Sequence, residues 1–177
     1  KKKKKTDDAF RSRFLWARKP MLAATAARLA CNGTGNDSTS SLPVPARSLV
    51  WVDLGGGTGE NVKMMVENYL PLECFRAIYV VDLAKPLCEQ AQRKVETLPG
   101  WKGVVHVVHG DATTFIPPAT EFGSRNSTVV VAPSSSPSSL SGLGSVDLVT
   151  FSYSLSMMPP FLDAVDHAAA LLKPGTG

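Results

Sequence analysis

A run of glycines directly after a short apolar segment contains the residues best suited to ligand chemistry. Leu49–Asp53 predicts a buried strand, and the glycine turn 55–59 then leads into a helix. Glycine at such a turn lets a ligand approach the backbone where a side chain would collide. Four glycines are also costly in chain entropy, so the turn favours a binding role over a simple connection.

The spacing within this turn separates three classes of ligand. A dinucleotide fingerprint starting at Gly55 requires glycine where Glu60 stands, and a phosphate-binding loop requires a lysine that the turn lacks. Asp53, Gly55, Gly57 and Gly59 instead fit the acidic-x-G-x-G-x-G pattern of S-adenosylmethionine-dependent methyltransferases. That cofactor has no phosphate but carries an α-ammonium group, which the Asp53 carboxylate can pair directly or through water.

Two further acidic residues close predicted strands. Asp82, followed by Leu83, lies twenty-three residues after Gly59, a separation at which an acidic side chain bonds ribose hydroxyls in dinucleotide folds. The alternative is a turn-forming aspartate. Asp111 can accept from the adenine amine while the backbone of Ala112 faces the ring, or it can form an N-cap or Asx turn. Since ligands bind at the carboxyl ends of strands in open α/β sheets, all three acidic residues point to one site.

The last predicted strand ends in side chains suited to the acceptor side of the site. Phe151 and Ser152 are candidates for cofactor contact, and Ser152 and Tyr153 for contact with a methyl acceptor, because this segment should lie beside the transferable methyl. The ring face of Tyr153 can hold a sulfonium or a quaternary ammonium. Met157 and Met158 are interpreted as packing residues. No convincing general base is found, so the catalytic residues stay unknown.

Cysteine, histidine and charge patterns point to few other partners. The three cysteines and three histidines lack the spacing of a disulfide framework or a metal site, so no metal is predicted. The net charge of +4 comes from residues 1–19, which hold nine Lys and Arg against two Asp. This arm is interpreted as a solvated tail that leaves peripheral membrane association open. Nucleic-acid binding is not expected, and the expected location is cytoplasmic, with the surface of the endoplasmic reticulum membrane as a further option.

Alternating strands and helices must position these residues. Such alternation predicts βαβ units and a parallel sheet. The resemblance of the glycine turn to methyltransferases further implies an α/β, Rossmann-like methyltransferase fold with the strand order 3-2-1-4. The predicted strands are Leu49–Asp53, Ala77–Asp82, Val104–His109 and Val146–Phe151, and the predicted helices run to about Leu70 after the glycine turn, over Lys85–Leu98 and over Phe161–Lys173.

The N-terminal part, residues 1–47, is predicted to be a basic arm, helices and a linker. Residues 9–30 have helical periodicity, which Pro20 should divide with a break just before it. Residues 32–47 have the composition of a loop.

The cofactor-binding domain is predicted to span residues 48–177. Within it, residues 117–145 are rich in Ser and Pro and are interpreted as a flexible surface insertion, although Val129–Val131 could pass for a strand. Because the chain begins with lysine and stops at Gly177 before the last strands of such a sheet, we expect a C-terminally incomplete fragment.

Several segments resemble the methyltransferase part of betaine lipid synthases. They are WVDLGGGTGENV (51–62), VVDLAKPLCEQA (80–91), GDATTF (110–115) and VDLVTFSYSLSMMP (146–159). The leading DDAFRSRFLWARKPML is also similar to that family's first segment: Arg11 and Arg18 match, whereas Asp7 and Phe10 replace its usual Tyr and Thr.

That family trimethylates the amine of diacylglycerylhomoserine to make a phosphorus-free membrane lipid. The resemblance therefore implies S-adenosyl-L-methionine as cofactor and a lipid head group or small-molecule amine as acceptor. It also implies fusion to an aminocarboxypropyl transferase domain. Two alternatives stay open: a methyltransferase acting on another acceptor, and a non-catalytic cofactor-binding module.

Overall fold

Four parallel strands form the centre of the protein. A computed structural model of the chain describes residues 16–32, 44–118 and 142–174. The helices are α1 (Arg18–Asn32), α2 (Glu60–Asn68), α3 (Lys85–Thr97) and α4 (Phe161–Leu171), and the strands are β1 (Leu49–Leu54), β2 (Phe75–Asp82), β3 (Val105–His109) and β4 (Leu148–Phe151). None of the helices in these ranges combines the length and apolarity needed to cross a bilayer.

The strand order of the sheet is β3-β2-β1-β4, which confirms the predicted topology. All three pairings are parallel, as expected when a helix connects consecutive strands. Leu54 of β1 lies opposite Phe151 of β4, and Asp82 of β2 lies opposite His109 of β3. The carboxyl ends of the four strands therefore meet at one edge, where the predicted site residues follow them.

Apolar side chains cover the sheet on both faces, which is why its central strands are nearly continuous in Val, Ile and Leu. On one face, Trp51, Phe75 and Ile78 pack against α1, α2 and α3. On the other, Val52 and Val81 pack in the same cluster as residues of α4. Because both faces of the sheet are covered, the site lies at the edge where the strands end.

Helix α1 begins before Pro20 rather than after it. Pro20 lies in the first turn, where backbone N–H groups have no intrahelical acceptor and a missing donor costs nothing. The predicted break immediately before Pro20 is therefore wrong by two residues. The predicted helix ahead of it lies outside the described residues.

Strand β4 and helix α4 are each shorter than predicted because their ends bond to one another. Val146 forms an isolated parallel bridge with Leu172, the residue that follows the last residue of α4. Between that bridge and β4, the Asp147 carboxylate accepts from the Val50 N–H at 2.8 Å and from Lys173 Nζ at 2.6 Å. These contacts join the start of β4 to the end of α4.

The predicted insertion 117–145 is wrong at its C-terminal end. Gly142 is buried, Leu143 packs with the second core cluster, and the Gly144 N–H donates to the Ala170 carbonyl at 2.9 Å. Gly142 lies so close to the preceding chain that a Cβ there would overlap the Pro117 carbonyl oxygen. The Val129–Val131 triplet lies outside the described residues.

Candidate functional site

A cleft of about 190 Å³ opens at the carboxyl edge of the sheet. Five of the ten predicted cofactor-binding residues line it: Gly55, Asp82, Leu83, Asp111 and Ala112. Thr113 and the segment after β4 complete the lining, through Ser154, Met157, Met158 and Pro159. The remaining predicted residues lie in the turn, in the core or next to β4, and are described below.

Asp82 links the ends of β1 and β2. Its Oδ2 accepts from the Gly57 N–H at 2.9 Å, and its Oδ1 accepts from the Ala84 N–H at 2.7 Å. The carboxylate is half-buried and faces the cleft, with Leu83 beside it exposed. Asp82 thus forms the turn that the sequence offered as the alternative, and each oxygen keeps a lone pair for a ligand hydroxyl.

Asp111 adopts the Asx turn that was the alternative to an adenine contact. Its Oδ1 accepts from both the backbone N–H and the hydroxyl of Thr113, each at 2.8 Å. These two hydrogen bonds hold the pKa of Asp111 below its usual value. The side chain is exposed at the cleft, so the turn and a ligand contact through the other oxygen are compatible.

The glycine turn packs tightly against the protein itself at its first two positions. A Cβ on Gly55 would overlap Ser154 Cβ, and the Ser154 hydroxyl donates to the Leu54 carbonyl at 2.7 Å. A Cβ on Gly56 would lie 2.7 Å from Asp53 Oδ2. Glycine is therefore required here by neighbouring protein groups, a reason that sequence inspection did not supply.

Gly57 and Gly59 are required for their backbone conformation. Their φ angles are 58° and 72°, in the left-handed region, while the nearest atoms to an added Cβ lie 3.8 Å away. The Gly59 turn places Glu60 in the first turn of α2, where an acidic side chain is favoured. Backbone conformation therefore requires glycine at these two positions, whereas Gly55, which lines the cleft, is also restricted by the close approach of Ser154.

Asp53 is fully buried at the centre of a polar network. Its Oδ1 accepts from the Thr150 hydroxyl at 2.6 Å, and Asn61 Nδ2 donates to both carboxylate oxygens at 2.9 and 3.0 Å. Thr150 in turn accepts from Trp51 Nε1 at 2.8 Å. Burial raises the pKa of Asp53 to about 6, against the lowering effect of its hydrogen bonds and of the Arg18 charge. Asp53 is not among the residues that line the cleft.

The residues after β4 bond to the start of α1 and to the residue before it. Ser152 is buried and its Oγ accepts from Arg18 Nε at 3.1 Å, while Tyr153 Oη accepts from the Ala17 N–H at 3.1 Å. Tyr153 has φ of 61°, which a non-glycine residue rarely adopts, and its ring is partly exposed. Phe151 packs with the second core cluster.

Sequence inspection missed or misjudged several site residues. Met157 was interpreted as a packing residue but is 76% exposed and lines the cleft. Asn61 and Thr150 were not singled out, although a buried polar side chain beside an apolar stripe is a usable indication. Arg18 has no local indication of this role, because 134 residues separate it from Ser152.

The cleft lining fits an adenosyl ligand without phosphates. Among the described residues that line it, two are carboxylates and none is Lys, Arg or His. Carboxylates accept from sugar hydroxyls and an exocyclic amine and tolerate a nearby positive charge, whereas a diphosphate would be repelled. Together with the parallel sheet, these features define an α/β nucleoside-binding domain.

Comparison with known proteins gives the family. The chain belongs to a methyltransferase domain family, whose model matches residues 16–177, and S-adenosylmethionine is accordingly its cofactor. A comparison with curated proteins found no match.

Solved structures share the fold. The YcgJ protein from Bacillus subtilis is 16% identical with a TM-score of 0.51, covering 85% of this chain and 46% of its own. A SAM-dependent methyltransferase from Aquifex aeolicus is 16% identical with a TM-score of 0.51, covering 73% and 53%. The chain thus spans about half the length of these structures.

Proposed function

We propose that the protein is an S-adenosylmethionine-dependent N-methyltransferase whose acceptor is the homoserine amine of a betaine-lipid precursor. The observation that supports methyl transfer is the cleft in which Asp82 and Asp111 converge without any cationic side chain. Asp82 is suited to the ribose hydroxyls, and Asp111 with Ala112 to the adenine. The family resemblance of the segment 146–159 supports the acceptor.

The reaction is in-line attack of a neutral amine nitrogen on a methyl group. When bound, the cofactor supplies that methyl on a sulfonium sulfur, so the N–C bond forms as the S–C bond breaks. Ser154 and Met158 hold the segment after β4 against Gly55, which orients the acceptor side. Tyr153 offers a ring face to a quaternary ammonium product. Positioning and exclusion of water supply much of the rate in such a site.

Exposed apolar side chains beside the cleft support a lipid acceptor. Met157 is 76% exposed and lines the cleft, and Phe161 and Leu162 follow at the start of α4 with 54% and 62% of their surface exposed. Solvent exposure of grouped apolar side chains is unfavourable unless a partner covers them. The acyl chains of a diacylglycerol-linked acceptor would do so.

The test is methyl transfer from labelled cofactor to two acceptors. One is diacylglycerylhomoserine in neutral lipid vesicles, and the other is glycerylhomoserine, its water-soluble head group. We expect mono-, di- and trimethylated lipid, and we expect Leu162→Ser to reduce methylation of the lipid several-fold while sparing the soluble acceptor. Arg28→Gln, on the exposed side of α1, is the matched control.

Two outcomes would contradict the proposal in different ways. Labelling of another molecule in a cell extract, with neither homoserine compound methylated, would replace the acceptor and keep methyl transfer. Cofactor binding without transfer to any acceptor would favour the non-catalytic binding module.

A further inference from the structure

Arg18 stands in the first turn of α1, and its side chain forms one hydrogen bond to the described residues. The side chain is half-buried, and its Nε donates to Ser152 Oγ at 3.1 Å. The neighbouring Ala17 N–H donates to Tyr153 Oη at 3.1 Å, so two contacts fix this turn on the segment after β4. One edge of the guanidinium is therefore held, while its Nη atoms form no hydrogen bond to the residues that the structure describes.

Two carboxylates that are affected by the Arg18 charge are bonded to other groups. Its charge acts on both Asp53 and Glu60. Asp53 accepts from Asn61 and Thr150, however, and Glu60 is paired with Lys94 at 2.7 Å. Among the described residues, Arg18 forms no ion pair of its own. Within the described ranges this half-buried guanidinium has only a neutral hydroxyl as hydrogen-bond partner, and a carboxylate is the group that its Nη edge fits best.

The contact with Ser152 places Arg18 at the β1–β4 end of the site. Because Leu54 pairs with Phe151, Ser152 lies beside Gly55 at the β1–β4 end of the crevice. The cleft itself reaches from there past Asp82 to Asp111, the side suited to ribose and adenine. A cofactor placed with its adenosine on that side must direct its amino-acid end towards β1 and β4.

We propose that Arg18 binds the α-carboxylate of an amino-acid group in the site, with Ser152 orienting the guanidinium. Two sources have this chemistry: the methionine part of the cofactor and, if the proposed function holds, the homoserine part of the acceptor. A carboxylate on the Nη edge would receive two charge-assisted hydrogen bonds, which lysine at this position would not reproduce.

Calorimetry on Arg18→Gln with ligands that differ only at the amino-acid end tests the proposal. S-adenosylhomocysteine carries the carboxylate, whereas 5′-methylthioadenosine lacks the whole amino-acid group. For the cofactor as source, we expect binding of S-adenosylhomocysteine to fall about 10- to 100-fold, in the range for lost charge-assisted hydrogen bonds. Binding of 5′-methylthioadenosine should be unchanged. Arg28→Gln on the same helix is the charge-matched control, and Arg18→Lys should restore only part of the loss.

If the carboxylate belongs to the acceptor, Arg18→Gln should bind S-adenosylhomocysteine as tightly as the wild type does. The loss then falls on glycerylhomoserine, titrated in the presence of S-adenosylhomocysteine. Equal weakening of S-adenosylhomocysteine and 5′-methylthioadenosine would indicate a structural role for Arg18 and overturn the proposal. Unchanged binding of all three ligands would overturn it as well. The cofactor measurements do not depend on which acceptor the protein uses, so they stand apart from the test of the proposed function.

Discussion

Asp53 differs from the other two acidic residues of the site in having no access to solvent. Asn61 and Thr150 supply its hydrogen bonds, and burial outweighs them in raising its pKa to about 6. Asn61 Oδ1 has no hydrogen-bond partner among the described residues. The network can therefore accept an amide in place of the carboxylate, because the Asn61 amide can turn over and present that oxygen.

Asp53→Asn is expected to change how stability depends on pH. A folded-state pKa above the unfolded value means that the folded protein holds the proton more tightly, so ionisation of Asp53 lowers stability as pH rises from about 4 to about 6. The ionisation of Asp53 lowers the free energy of unfolding by up to roughly 3 kcal/mol. The variant should gain stability relative to wild type across that window and keep the gain at pH 8.

Urea unfolding of both proteins between pH 4 and pH 8 measures this difference. Groups such as Glu60 and Asp111, whose pKa values are lowered, titrate in both proteins and cancel in the comparison. Parallel stability curves over the whole range would show that Asp53 does not titrate as described.

Asp82→Ala is expected to weaken S-adenosylmethionine binding by roughly 1.5–3 kcal/mol, the range for losing hydrogen bonds to a charged group. The substitution also removes the acceptor for the Gly57 and Ala84 N–H groups, so the turn loosens as well. Glu89→Ala, an exposed acidic residue on α3, makes the same change of charge and should leave affinity unchanged. Equal affinity of Asp82→Ala and wild type in calorimetry would remove Asp82 from the site.

Two connecting segments, the glycine turn and the chain after β4, form one packed unit at the sheet edge. Ser154 and Met158 occupy the space that a side chain at Gly55 would need. The Gly55 and Gly56 N–H groups also donate to the Val81 carbonyl, at 2.8 and 3.1 Å, which ties the turn to β2. Substitutions in the glycine turn should therefore also alter the packing of the segment after β4, on the acceptor side of the site.

Gly55→Ala should destabilise the protein much more than an alanine substitution whose only cost is the left-handed backbone conformation. Its Cβ would displace Ser154, with loss of the hydrogen bond to Leu54, in addition to the roughly 1–2 kcal/mol cost of a left-handed alanine. Gly103→Ala is the control, because Gly103 has φ of 84° and nothing within 4 Å of an added Cβ. Thermal unfolding and cofactor titration of the two variants measure the difference, and equal losses would contradict the packing argument.

The domain as a whole has its core on both faces of the sheet, and residues on either side of the segment 119–141 take part in it. The two ends of that segment meet, since Gly142 abuts the Pro117 carbonyl. Deleting residues 119–141 and joining Pro118 to Gly142 with a short glycine link should change stability by less than about 1 kcal/mol, because loop length costs little free energy.

Circular dichroism melts and titration with S-adenosylhomocysteine measure the effect of this deletion. A larger deletion that also removes Gly142 and Leu143 is the comparison, and it should destabilise the protein because Leu143 packs in the core. A large loss from the smaller deletion would show that Val129–Val131 or its neighbours are structurally required.

Most of the sheet was predictable from the sequence because its determinants are local. Buried parallel strands are continuous apolar runs, as in Leu49–Leu54, and the glycine turn and Asp82 follow their strands directly. Strand order is the one implied by the resemblance to methyltransferases. Among the boundaries that failed, those at Val146 and Leu172 depend on a bridge between segments that are not adjacent in the chain.

The residue types and spacing alone determined the fold class, the cofactor and the acidic residues at the strand ends. Only the tertiary structure decided what each group does there, because most of those contacts join residues 97 to 134 positions apart. It showed that Gly55 makes room for Ser154, that Asp53 is buried among Thr150 and Asn61, and that Arg18 reaches Ser152. Burial, hydrogen-bond partners and pKa values follow from such packing, which the local sequence does not encode.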